Sequence, residues 1–139
     1  MVIAVDFDGT IVRDEYPGIG REIPFATQTL RMLIEEGHRL ILWTVRQGET
    51  LEDAVTWCRH KGVEFYAVNR NFPEENDQTD EEYSRKLKAD IFIDDRNIGG
   101  LPDWGMIYQI IRERKSYEEV LLRGIEESRA TPRKKWWQL

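Results

Sequence analysis

The chain opens on an apolar run that ends in charge. In "VIAVDFDGTIV", residues 2–12, apolar side chains lead directly to two aspartates one position apart, then a Gly-Thr turn, then apolar residues again. Such a run predicts a short strand over 2–6, buried on both faces as in a parallel sheet. Residues 13–24, "RDEYPGIGREIP", mix charge with Gly and Pro and predict a loop or small flap. A helix follows. Pro24 suits its first turn, Ala26, Leu30, Leu33 and Ile34 recur at helical spacing, and Gly37 stops it. "RLILWT" at 39–44 predicts a second buried strand.

The pattern then repeats. Thr50 and Asp53 read as a capping-box pair, Leu51, Ala54, Val55 and Cys58 stripe one helical face, and Gly62 ends the helix. "VEFYAV" at 63–68 is the third strand. The acidic stretch 69–82 predicts a loop, and a brief helical segment around 80–88 leads to "ADIFID" at 89–94, the fourth strand. "RNIGGLPDWG" is a turn ahead of a helix near 103–113 with Trp104, Ile107 and Ile111 on one side. Ser116 and Glu119 are placed to cap a last helix bearing Val120, Leu121 and Ile125, and the tail at 129–139 shows no periodicity.

Alternating strands and helices with short connections predict one α/β domain over 1–139. Its expected form is a three-layer, Rossmann-like, mostly parallel sheet flanked by helices, with right-handed crossovers. Ligands in such sheets bind outside the carboxyl ends of the strands. Here those ends carry Asp6 and Asp8, Thr44, and Asp94 with Asp95.

Composition narrows the picture. Of 139 residues, 40% are hydrophobic and 33% charged, which suits a folded globular chain rather than a disordered one. A net charge of −6 gives no general attraction for nucleic acid or anionic membranes. The single cysteine, Cys58, excludes an internal disulfide and fits a reducing compartment. No apolar run approaches the roughly 20 residues needed to cross a bilayer, and "MVIAV" lacks a basic leader. The expected location is the cytoplasm.

Four aspartates at one sheet edge cannot all stay ionised without a counter-charge. A hard divalent cation answers that need, and Mg²⁺ takes carboxylates, waters and a phosphate oxygen. Lys86 and Lys88 lie just before the fourth strand, and the Thr44 hydroxyl can hydrogen-bond a phosphate oxygen. These are the parts for phosphoryl transfer through an aspartyl phosphate. Asp6, last on its strand, is the better nucleophile. Asp8, on the turn, can protonate the leaving oxygen and later activate water.

"DFDGT" at 6–10 resembles motif I of the haloacid dehalogenase (HAD) superfamily. Thr44 after "LILW" is similar to motif II, Lys86 in "SRKLKAD" to motif III, and "IFIDD" at 91–95 to motif IV, together covering residues 1–96. The resemblance implies Asp6 as nucleophile and metal ligand, and Asp8 as acid/base with its backbone carbonyl on Mg²⁺. It implies Thr44 and Lys86 on the phosphoryl group, Asp94 as metal ligand, and Asp95 on a metal-bound water or as a support. Gly9 and Thr10 of the motif are expected to line the substrate. The second aspartate points to phosphate esters rather than carbon–halogen bonds. No Lys-Pro pair marks motif III, so Lys86 and Lys88 compete for that place, with Lys86 preferred.

Neither of the usual insertion points leaves room for a cap domain. The chain therefore resembles the capless class, with residues 11–24 as a partial flap. Such open sites accept phosphorylated small molecules or an accessible phosphoryl group on a larger substrate. Arg46 and Arg96 each follow a motif; surface pairing competes with anion contact at both, and Arg46 is kept as a substrate-binding candidate. His38, His60 and Cys58 read as structural. "PGIG" reads as flap flexibility, since no GK[ST] follows. "PRKKWW" holds too few cations against the net charge to suggest nucleic acid, and its tryptophans hint at docking on this domain or a second copy. Two other functions compete with a phosphomonoester hydrolase. One is a non-catalytic phospho-acceptor module, disfavoured because the third strand ends "YAVNR" without an acid. The other is a nucleic-acid end phosphatase, disfavoured by the absence of a basic stripe.

Overall fold

The computed structural model describes residues 1–114 and 117–130. Its elements run β1 (Val2–Val5), α1 (Ala26–Glu35), β2 (Arg39–Leu42), α2 (Gly48–His60), β3 (Ala67–Val68), β4 (Ile91–Ile93), α3 (Trp104–Glu113) and α4 (Tyr117–Ala130). Ser116 and the tail beyond residue 130, including Trp136 and Trp137, lie outside the described residues. None of the described helices is long and apolar enough to cross a membrane.

The four strands form one parallel sheet in the order β3-β2-β1-β4. All three pairings are parallel, with Val5 opposite both Leu42 and Ile93. The apolar runs that define β1 and β2 are buried on both faces, as their unbroken patterning predicts. Ile3, Val5, Leu40 and Leu42 point to one face. Right-handed crossovers place α1 and α2 together on that face, and the edge-to-face contact of Phe7 with Trp57 of α2, 5.8 Å between centroids, continues it. α1 buries Ala26, Leu30 and Leu33, and α2 buries Ala54 and Cys58. Gly37 and Gly62, at φ +91° and +80°, turn the chain out of α1 and α2 toward the next strands.

Ala4, Ile41 and Ala67 form the opposite face, joined by Val2, Trp43 and Phe92, and Leu87 and Ala89 pack against it. Those two come from the long return between β3 and β4. The helical segment expected around 80–88 does not form there; the return is built of turns and bends. Its polar side chains capture backbone amides instead. Asn76 N–H donates to Asp80 Oδ2 at 2.6 Å, and Gln78 N–H donates to Asn76 Oδ1 at 2.8 Å, which is how Asn and Asp divert a chain from helix.

Three further expectations are revised. β3 pairs over two residues rather than six, because the approach from Val63 reaches the ladder only at Tyr66, whose N–H donates to Leu40 O at 2.8 Å. α2 starts at Gly48, and the Thr50 hydroxyl donates to Gln47 O at 2.9 Å rather than capping with Asp53. In place of one domain over 1–139, the chain forms two compact units, Met1–Trp104 and Gly105–Leu139. The first holds the whole sheet with α1 and α2. In the second, Arg123 of α4 pairs with Glu113 of α3 at 2.8 Å.

Candidate active site

The sheet ladder continues one residue past β1: Asp6 N–H donates to Ile93 O at 3.0 Å. The chain then turns hard. The Phe7 carbonyl accepts from the amides of Thr10, Ile11 and Val12 at 3.2, 2.9 and 3.3 Å. Gly9 sits at φ +85°, and a side chain there would collide with the Asp95 carboxylate. Only glycine meets both demands. Thr10 is fully buried. Its hydroxyl lies 3.2 Å from Asp6 Oδ2 and 3.1 Å from Asp95 Oδ1, and its oxygen accepts from Asp95 N–H at 3.0 Å. The Trp104 indole donates to the Thr10 carbonyl at 3.1 Å, anchoring the turn from below.

These constraints bring Asp6, Asp94 and Asp95 together, each offering a carboxylate oxygen within 4.8 Å of the others. Three hard oxygen donors at that spacing fit a divalent cation of the Mg²⁺ type. Electrostatics points the same way. Burial, the Asp94 charge and the hydrogen bond with Asp95 push the Asp6 carboxyl up to about 7.

A cavity of about 520 Å³ opens over this edge, lined by Asp6, Asp8, Asp14, Tyr16, Trp43, Thr44, Val45, Asp94 and Arg96. Thr44 is fixed from two sides. Its N–H donates to Asn69 Oδ1 at 2.8 Å, and its hydroxyl oxygen accepts from Arg46 N–H at 3.1 Å. With the oxygen so used, the hydroxyl proton is available to a ligand in the cavity. Asn69 follows β3 at φ +55°, a conformation asparagine tolerates. Sequence reasoning passed over it; an Asn at a strand's carboxyl end was the signal.

Asp8 lines the cavity but is held from behind. Both its oxygens accept from Arg46, at 2.7 Å from Nε and 2.7 Å from Nη2. The Arg46 side chain is 0% exposed, so it is no substrate contact, contrary to the expectation for it. Hydrogen bonding to Asp8 raises the guanidinium above its ordinary range. Gly9 and Thr10 are likewise absent from the cavity wall; they shape the turn and join Asp6 to Asp95. Lys86 is exposed, with its Nζ 5.7 Å from the centroid of Phe92, and it does not line the cavity. Lys88 does not line it either, its Nζ lying 3.9 Å from Glu82. Arg96 is the cation on the wall. Cys58 is buried, with its thiol pushed up to about 12 by that burial, which leaves it inert.

No protein-family model and no curated protein matches the chain. Among solved structures, a conserved protein from Bacteroides thetaiotaomicron is 60% identical. The match covers 86% of this chain and 96% of that one, with a TM-score of 0.82.

The raised Asp6 carboxyl predicts a pH signature in cation-free protein. Unfolded Asp6 loses its proton near its ordinary 3.8, whereas the folded group holds it to about 7. Between those values the unfolded state gives up its proton first, so the contribution of Asp6 to stability falls as pH rises and levels off above the window. Urea unfolding with chelator at stepped pH should show wild type losing stability relative to Asp6→Asn from about pH 4 to 7. A difference that is flat across that range contradicts the crowding of these carboxylates.

Proposed function

The chain belongs to the family of that Bacteroides thetaiotaomicron protein, and we propose that it is a divalent-cation-dependent phosphomonoester hydrolase of the haloacid dehalogenase kind. One observation carries the reading. Carboxylate oxygens of Asp6, Asp94 and Asp95, from two strand ends far apart in sequence, lie within 4.8 Å of one another, and Asp6 and Asp94 line an open cavity. Asp6, Asp94 and Asp95 would hold Mg²⁺, which when bound draws charge from a phosphoryl oxygen.

The residues divide the work as follows. An Asp6 carboxylate oxygen attacks phosphorus, the bond to the leaving oxygen breaks, and an aspartyl phosphate forms. Water then attacks that phosphorus; Asp8 accepts the water's proton, inorganic phosphate departs and Asp6 is restored. In the first step Asp8 gives its proton to the departing oxygen, so the proton taken from water returns Asp8 to its starting form. Esters with a weakly basic leaving oxygen, such as aryl phosphates, need no such donation. Thr44 donates its free hydroxyl proton to a phosphoryl oxygen.

The counter-charge role falls to Lys86 and the peripheral anion contact to Arg96. Phe92 shares its strand face with Asp94, two residues on, so the ammonium over that ring is on the correct side of the sheet and one pleat repeat back. The long lysine stem spans such a distance. The substrate is a phosphorylated small molecule or an exposed phosphoryl group on something larger.

A p-nitrophenyl phosphate assay tests these roles. Turnover should require added Mg²⁺, and Asp6→Asn should lower kcat by about 10³-fold or more with an unchanged circular dichroism spectrum; retained turnover in that variant refutes the nucleophile. Lys86→Met should lower kcat by about 100-fold, whereas Arg96→Met should chiefly raise KM. The opposite pattern would assign the counter-charge to Arg96.

A further inference from the structure

The segment between β1 and α1 is an ordered excursion rather than a free loop. At its base Arg13 N–H donates to Arg21 O at 2.8 Å and Ile23 N–H to Ile11 O at 2.9 Å, while Val12 and Glu22 bridge antiparallel. Ile11 and Val12 are fully buried, and exposure begins at Arg13. Base pairing of this kind does not fix the tip. Its residues from Arg13 to Gly18 are exposed, yet Asp14 and Tyr16 of the tip form one wall of the cavity.

What fixes the tip is the buried guanidinium behind Asp8. Arg46 Nη1 donates to Pro17 O at 3.2 Å, and Nη2 to Gly18 O at 2.6 Å. A further Nη1 bond reaches Thr50 O of α2 at 3.1 Å, and the remaining donors go to Asp8. The guanidinium carbon also lies 5.1 Å from the Phe7 centroid and 5.2 Å from that of Tyr16. All five N–H donors of Arg46 are thus spent on three elements: the motif turn, the flap tip and the start of α2. A lysine could not reproduce this planar fork.

We infer that Arg46 is a positioning residue that latches the flap tip to the Asp8 carboxylate, so that the flap wall and the Asp8 side chain hold their places as one unit. The kinetic side of this rests on the hydrolase reading; the latch itself does not. Losing the fork frees the tip, which displaces the Asp14–Tyr16 wall and lets Asp8 turn. Asp8 and the tip are joined through Arg46, so a change at Asp8 must be felt in the flap.

Hydrogen exchange by mass spectrometry on the full chain, in magnesium-free buffer, tests the latch without any assay of activity. In Arg46→Lys, amides of 13–20 should exchange on the order of tenfold faster or more, since bonds to a charged donor shift a local opening equilibrium by at least that factor. Sheet peptides should be unchanged. Asp8→Asn should loosen the same amides, and adding it to Arg46→Lys should give no further increase. If Arg46→Lys fails to fold, the Asp8→Asn result decides. Unchanged flap exchange in either folded variant, or acceleration spread equally through the sheet, overturns the latch. If the protein hydrolyses the aryl ester, Arg46→Lys should both raise KM and lower kcat; loss of kcat alone, with KM fixed, removes the flap from the account. Absence of hydrolysis in wild type would count against the hydrolase reading and leave the exchange result standing.

Discussion

Parallel pairing of β1 with β4 forces like charges together. Val5 lies opposite Ile93, and the ladder reaches one step beyond through Asp6 N–H and Ile93 O. Neighbouring strands sit about 4.8 Å apart, so aspartates that follow those two residues are set side by side whatever their charge. Backbone hydrogen bonding and the apolar core fix that register. Repulsion has no means to slide it, because a one-residue slip would exchange the side chains of two differently packed buried faces and misfit both. Burial, then the Asp94 charge and the hydrogen bond with Asp95, leave an Asp6 carboxyl that holds its proton to about 7. A fold tolerates such a cost where another species removes it, and a cation among the three oxygens would do so.

Around this edge, neutral contacts do the positioning. The Thr10 hydroxyl joins Asp6 to Asp95, Trp104 holds the Thr10 carbonyl, and Asn69 holds Thr44. Gly9 permits Asp95 to stand close against the turn. On the other side Arg46 anchors Asp8, the flap tip and α2 through one planar group. The catalytic candidates therefore rest on residues that never reach the cavity.

The sheet was legible because its evidence is local. Unbroken apolar runs mark β1 and β2, glycines end α1 and α2, and carboxylates at strand ends mark the edge over which the cavity opens. The return segment was not legible, since Asn76 and Asp80 settle it through side-chain bonds to backbone amides that no period records. The same holds for Thr10 and Arg46. Their residue types suited a ligand contact equally well, and only burial and the spatial neighbours distinguish a support from a contact. Arg46 meets Pro17 and Gly18 across 29 and 28 positions of chain, a pairing that depends on how the flap folds back. Lys86 precedes the fourth strand in the chain, but where its flexible stem carries the ammonium is not a property of sequence. The division at Trp104 was missed because the helical pattern near 103–113 runs through it without a break.

Crystals grown with saturating MgCl₂ near pH 8, where Asp6 is ionised, test the central claim most directly. The account predicts one octahedral ion bound to carboxylate oxygens of both Asp6 and Asp94 at about 2.0–2.1 Å. Density free of any ion under those conditions, with the two carboxylates still facing each other, would contradict it.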